Sequence, residues 1–236
     1  MPLRAILFDK DGTFLDFART WDTATADVIR LLAAGDEIIA ARLASIIHFD
    51  DATQRLLPTS PFVGGSLEDI GPDWAAALGQ APGPVFDARL IDLYYEAALD
   101  AAVPIGDPSL VFAALKEAGY RLGVITNDSE RGARAHCAKL GLTHWFDDII
   151  GYDSGHGRKP EAGQILAFLD RFGIRPEEAA LVGDTMHDVD AARAAGVTAI
   201  SVATGYLTEE QLTPWADYVL SDIMALPALL EKLREP

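Results

Sequence analysis

Six short apolar runs recur along the chain: Ala5-Ile6-Leu7-Phe8, Leu122-Gly123-Val124-Ile125, Ile149-Ile150, Ala180-Leu181-Val182, Ala199-Ile200-Ser201-Val202 and Tyr218-Val219-Leu220. Each is continuous rather than alternating, the pattern of a strand buried on both faces of a parallel sheet. Parallel neighbours need crossover connections and both faces need cover, so helices must lie between the strands. Their punctuation is visible. Asp107-Pro108 reads as the N-cap and first residue of a helix that ends near Gly119; Ser129 opens one stopped by Gly141; Pro160 starts one stopped by Gly173; another ends near Gly196. The expected fold is α/β, a doubly wound, Rossmann-like parallel sheet with right-handed crossovers.

One segment breaks the alternation. From about Asp16 to Asp100 no strand pattern is visible, only helical spacing such as Val28, Ile29, Leu31, Leu32 and Ile38, Ile39, Leu43, Ile46, Ile47. Ser66 with Asp69 resembles a capping box, while Pro58 through Gly65 and Pro82-Gly83-Pro84 read as loops. The expected organisation is an α/β core of residues 1–15 and 100–236, with a wholly helical cap domain, residues 16–99, inserted into it.

Charge narrows the partners. A formal net charge of -17 repels nucleic-acid phosphates and anionic membrane surfaces, so neither is expected as a partner. An anionic substrate would have to be met locally, by a metal and a few fixed donors. The single cysteine, Cys137, cannot form an internal disulfide and reads as a small buried hydrophobe on a helix. The first apolar stretch, Leu3 to Phe8, is interrupted by Arg4 and followed at once by Asp9, too short for a signal peptide or a membrane span. A cytoplasmic protein is expected, as a monomer or a homodimer.

The first strand runs into Asp9-Lys10-Asp11-Gly12-Thr13. Ligands of open α/β sheets bind at the carboxyl ends of strands, and alternation lets Asp9 and Asp11 project to one side. A calcium loop also begins Asp-x-Asp, but Phe14 and Leu15 do not supply its further ligands. A plain acidic turn would account for this segment alone. Three further motifs follow in order: Thr126-Asn127 after the second core strand, Lys159-Pro160 at a helix start, and Gly183-Asp184-Thr185-Met186-His187-Asp188 after the strand at 180–182.

Together, in this order and with a cap-sized insertion after the first, these motifs resemble the haloacid dehalogenase superfamily. The resemblance spans residues 1–15 and about 100–205. It implies a magnesium-dependent phosphatase acting on a small phosphorylated metabolite. Asp9 would be the nucleophile that forms an aspartyl-phosphate. Asp11 would protonate the leaving alcohol and then activate water. Thr126 would hold a phosphoryl oxygen through its hydroxyl, helped by the backbone N–H of Asn127. Lys159 would balance the charge of the phosphoryl group and Asp9. Asp184 and Asp188 would bind Mg2+ with Asp9 and the main-chain carbonyl of Asp11.

Two positions depart from the family pattern. Phe14 stands where a small aliphatic is usual, and Glu161-Ala162 follows Lys159-Pro160 where many relatives repeat a proline. His187 and Asp190 are read as structural or solvent-facing, and His48, His136, His144 and His156 show no ligand spacing. Within the superfamily, Asp11 argues against a dehalogenase. The absence of lysine from residues 17 to 95 excludes phosphonatase chemistry, which needs a cap lysine. A receiver domain lacks the second aspartate and the inserted cap. A β-phosphoglucomutase-like mutase and a non-catalytic phosphometabolite-binding relative remain open. The helical cap, the run Ala191-Ala192-Arg193-Ala194-Ala195-Gly196 and Gly205-Tyr206 resemble the phosphoglycolate phosphatase branch, which makes 2-phosphoglycolate the expected substrate. Arg19, the cap arginine nearest the first motif, is the expected contact for its carboxylate.

Overall fold

The computed structural model describes residues 2–63 and 67–234. Its strands are β1 (Ala5–Phe8), β2 (Phe49–Asp50), β3 (Arg55–Leu56), β4 (Arg121–Ile125), β5 (Asp148–Ile150), β6 (Ala179–Gly183), β7 (Thr198–Val202) and β8 (Tyr218–Leu220). Its α-helices are α1 (Thr23–Ala33), α2 (Glu37–Ile46), α3 (Leu67–Ala77), α4 (Pro84–Ala101), α5 (Pro108–Glu117), α6 (Glu130–Lys139), α7 (Gly163–Phe172), α8 (Met186–Ala195), α9 (Glu209–Leu212) and α10 (Leu226–Arg234). Contacts divide the chain into two compact units, Met1–Asp16 with Pro104–Pro236, and Phe17–Val103.

The first unit holds a six-stranded sheet, ordered β5-β4-β1-β6-β7-β8, in which every neighbouring pair is parallel. Winding goes outward one way from β1 through β4 to β5, then the other way through β6, β7 and β8. β1 is therefore the switch point, where an open α/β sheet leaves a crevice at its carboxyl edge. The register aligns the strand ends there, with Phe8 opposite both Val124 and Val182.

β1 is buried throughout because successive side chains meet helices on opposite faces. The Phe8 ring meets that of Phe112 on α5 edge-on at 5.1 Å, while Leu7 belongs to the core with Phe168 of α7 and Val189 of α8. Phe14, the departure from the usual aliphatic, is fully buried and lies 5.5 Å from the Phe112 ring and 5.8 Å from that of Phe146. It anchors the loop that carries the first motif.

Most helix boundaries follow the expected punctuation. Asp107 caps α5 through Ser109 N–H, Ser129 caps α6 through Gly132 N–H, and Gly173 and Gly196 close α7 and α8 in the left-handed conformation. The helix expected from Pro160 starts instead at Gly163. Both polar groups of the Lys159 backbone are taken by the side chain of Asn127, and Glu161 N–H bonds back to Arg158 C=O at 2.8 Å, closing a turn first.

The second unit has its own core of aromatic and aliphatic side chains from α1 to α4, with Trp74 and Tyr94 fully buried. Its buried α1 positions, Ala24, Thr25, Val28, Ile29 and Leu32, recur at helical spacing. It is not wholly helical. β2 and β3 pair as an antiparallel hairpin, and a five-residue π-helix, Ala18–Asp22, precedes α1. The hairpin depends on buried Asp22, whose carboxylate accepts Leu56 N–H at 2.9 Å and faces Arg55 Nε at 3.4 Å. The capping box expected at Ser66 lies outside the described residues.

Candidate active site

Strand ends of the first unit carry most of the residues expected from the motifs: Asp9 and Asp11 follow β1, Thr126 and Asn127 follow β4, Asp184 follows β6, and Asp188 sits in the first turn of α8. Lys159 comes from the loop between β5 and α7. Its Nζ lies 2.6 Å from Asp9 Oδ1 and 2.7 Å from Asp188 Oδ1, all three side chains being buried. Carboxylate oxygens of Asp9, Asp184 and Asp188 lie within 4.8 Å of one another.

Three buried carboxylates thus lie together with an ammonium that contacts two of them, Asp9 and Asp188, and the electrostatics reflect the shortage of positive charge. Burial pushes Asp9 up to about 7, the Asp188 and Asp11 charges adding to the rise and Lys159 opposing it. Asp184 is raised well above the usual carboxylate range, first by burial and then by Asp9 and Asp188. Burial would lower Lys159, but Asp188 and Asp9 outweigh it and hold the ammonium above its ordinary value. An all-oxygen, anionic cluster of this kind fits a hard divalent cation.

The backbone around the cluster is shaped for it. A side chain on Gly205 would stand 1.8 Å from Asp184 Oδ2, and one on Gly12 would stand 2.3 Å from it. Both glycines let the main chain press against that carboxylate. Thr13 Oγ1 adds a donor to Asp184 Oδ1 at 3.4 Å. Asp188 is held by Thr185, whose N–H and hydroxyl donate to Oδ2 at 3.0 and 2.7 Å.

Thr126 is buried, and its hydroxyl accepts Asp128 N–H at 3.1 Å, which leaves the hydroxyl proton to donate. Asn127 acts in a way the motif did not suggest. Its side-chain Nδ2 donates to Lys159 C=O at 3.0 Å and its Oδ1 accepts Lys159 N–H at 2.9 Å, fixing the backbone from which the ammonium extends. The Asp11 side chain is not among the three clustered carboxylates. It meets Lys10, whose Nζ lies 2.6 Å from Oδ2 and 2.8 Å from Oδ1. Arg19 belongs to the second unit, exposed on the π-helix. His187 is half-buried and Asp190 exposed.

Sequence reasoning passed over Lys10, Thr13, Asp128 and His136. Thr13 and Lys10 stand inside the first motif, where only the aspartates drew attention. Asp128 directly follows Thr126-Asn127. His136 offered no signal, since its partner Lys10 lies 126 residues away.

A family profile for haloacid dehalogenase-like hydrolases matches residues 3–196. The chain belongs to that family. Within it the chain is a phosphatase: it is 34% identical to the phosphoglycolate phosphatase of Agrobacterium fabrum, over 96% of this chain and 92% of that protein. It is 30% identical to the phosphoglycolate phosphatase of Rhodospirillum rubrum, over 96% and 90%. Among solved structures, a hydrolase from Pseudomonas syringae superposes with a TM-score of 0.71 at 19% identity, over 98% of this chain and 100% of that one. No helix among the described residues is long and apolar enough to cross a membrane.

Proposed function

We propose that this haloacid dehalogenase-like phosphatase hydrolyses a small phosphomonoester through a phosphorylated Asp9, with Mg2+ as cofactor and 2-phosphoglycolate as substrate. The observation that carries the reading is the cluster of the Asp9, Asp184 and Asp188 carboxylates, with the Lys159 ammonium held on Asp9 and Asp188. Alone, so anionic a pocket would repel a phosphate. Asp9, Asp184, Asp188 and the main-chain carbonyl of Asp11 would hold the ion, which supplies the charge that lets an anionic nucleophile and an anionic phosphate meet.

The chain's own groups then divide the reaction into two displacements. An Asp9 carboxylate oxygen bonds to phosphorus as the bond to the alcohol oxygen breaks, and Asp11 gives that oxygen its proton. The Asp11 carboxylate next takes a proton from water, the water oxygen bonds to phosphorus, and Asp9 is released with inorganic phosphate. Thr126 donates its hydroxyl to a phosphoryl oxygen, and Lys159 offsets the charge that Asp9 and the phosphoryl group share.

The substrate reading rests on the two relatives named phosphoglycolate phosphatase and on the second unit, read as a cap in which Arg19 meets the substrate carboxylate through its planar fork. A cytoplasmic location is the companion reading, supported by a lone, buried Cys137. The test is kcat/KM for 2-phosphoglycolate against glycerol phosphate, with and without EDTA, in wild type and Arg19→Ala. The reading expects a metal-dependent preference for the carboxylated ester that Arg19→Ala erodes. Undiminished turnover in EDTA would refute the metal role, no preference in the wild type would refute the substrate, and an unchanged preference in Arg19→Ala would refute that contact alone.

A further inference from the structure

Lys10 lies between the two aspartates of the first motif, where a spacer would suffice, yet its side chain is fully buried. A buried ammonium is costly unless it is paired, and the partners of this one include three side chains. Its Nζ lies 2.6 Å from Asp11 Oδ2, 3.1 Å from Asp128 Oδ2 and 3.1 Å from His136 Nδ1. Neither Asp128 nor His136 belongs to the cluster around Lys159. Asp128 is itself fixed, its Oδ1 accepting Ser129 N–H at 2.7 Å, and His136 is buried on α6. The Lys10 carbonyl is also the hub of its loop, accepting the N–H groups of Phe14 and Leu15 at 3.1 and 3.0 Å.

This arrangement faces one way. Asp11 retains 15% side-chain exposure while Lys10 beneath it has none. Two oxygens of one carboxylate meeting one ammonium restrict its rotation, and Asp128 and His136 keep that ammonium from following Asp11 outward. A proton donor must be held within hydrogen-bond reach of the leaving oxygen for its contribution to be realised.

We infer that Lys10, held by Asp128 and His136, is a positioning residue that aims the Asp11 carboxylate at the leaving-group oxygen. The inference rests on the reading of Asp11 as the acid, and its test separates the two. Lys10 touches no reacting atom in this scheme, so its loss acts only through Asp11.

The experiment measures kcat for p-nitrophenyl phosphate, whose phenolate departs without a proton, and for an alkyl phosphate, 2-phosphoglycolate or glycerol phosphate. The variants are Asp11→Asn, Lys10→Met, their double mutant and Asp128→Asn. Asp11→Asn should lose more on the alkyl ester, by about 10²-fold or more. Equal losses from Asp11→Asn would refute the acid role and the inference with it. If Asp11→Asn discriminates, Lys10→Met should raise the same alkyl-to-aryl loss ratio by about tenfold and add nothing to it in the Asp11→Asn background. Equal losses on both esters from Lys10→Met, or a further rise of the ratio in the double mutant, would overturn the positioning role while leaving Asp11 as the acid. Should Lys10→Met fail to fold by circular dichroism, Asp128→Asn decides. It can keep the Ser129 contact through its amide oxygen but weakens the hold on Lys10, so the ratio should rise. An unchanged ratio there overturns the inference.

Discussion

Replacing the nucleophile with its amide should stabilise the metal-free protein. Asp9 is buried, and the rise from 3.8 to about 7 means the folded state resists its ionisation. In free energy that rise corresponds to about 4 kcal/mol at a pH where the unfolded chain carries the charge. The sign follows from proton binding: between about pH 4 and about pH 7 the native state holds a proton the unfolded state has released, so stability falls as pH climbs through that window. Above it the whole penalty is present.

An asparagine at position 9 resembles the protonated acid, does not titrate, and offers an oxygen that can still accept from Lys159. Its loss of attraction to that ammonium offsets part of the gain, so Asp9→Asn should be more stable than wild type by about 1–3 kcal/mol near pH 8 in EDTA. Near pH 4 the difference should shrink to well under about 1 kcal/mol. Because the chain folds as two compact units, hydrogen exchange of the β1 and β6 amides is the appropriate assay, since it reads the unit that holds the site. Adding Mg2+ should reverse the order, as only the wild type keeps the full set of carboxylates and gains the binding free energy. Turnover by Asp9→Asn should be lost throughout. An Asp9→Asn protein less stable than wild type near pH 8 without metal, or a difference independent of pH, would refute the claim that uncompensated buried charge governs the cluster.

Gly205→Ala should weaken Mg2+ binding by about tenfold or more with little effect on folding, because its Cβ would stand 1.8 Å from Asp184 Oδ2 and displace that carboxylate; isothermal titration with the metal alone checks this, and unchanged affinity would contradict it. Asn127→Ala should cost about 1–3 kcal/mol of stability, since it leaves the buried N–H and C=O of Lys159 without partners, and should lower kcat by misplacing the ammonium. Denaturant unfolding and steady-state kinetics test the two parts, and a variant with wild-type kcat would show that Lys159 needs no such support.

The sheet was legible because burial on both faces leaves no room for polar alternation: Ala5-Ile6-Leu7-Phe8 could hardly be anything else once helices were expected on either side. Capping was legible where it is local, as at Asp107 and Ser129, whose side chains accept from N–H donors two and three residues ahead. It failed at Pro160, where the helix start depends on Asn127, 32 residues upstream of Lys159. The β2–β3 hairpin failed for the same reason, for two-residue strands carry no period and Asp22, which binds Leu56 across 34 residues, reads in sequence as one more helical acid.

The same divide runs through the site. Asp9, Asp11, Thr126 and Asp184 were legible as candidates because each stands in a short motif just beyond a strand, and Lys159 because its motif precedes a helix. What holds those residues in place is long-range: the Asn127 side chain on Lys159, Gly205 against Asp184, and His136 against Lys10. Nothing in a linear reading distinguishes Lys10 from a solvated lysine, because its burial is a property of α6 and the turn at Asp128 packing behind it. A site lysine of this kind is recognised only by asking where a buried charge finds its partners, and here that question leads from Lys10 to the carboxylate of Asp11.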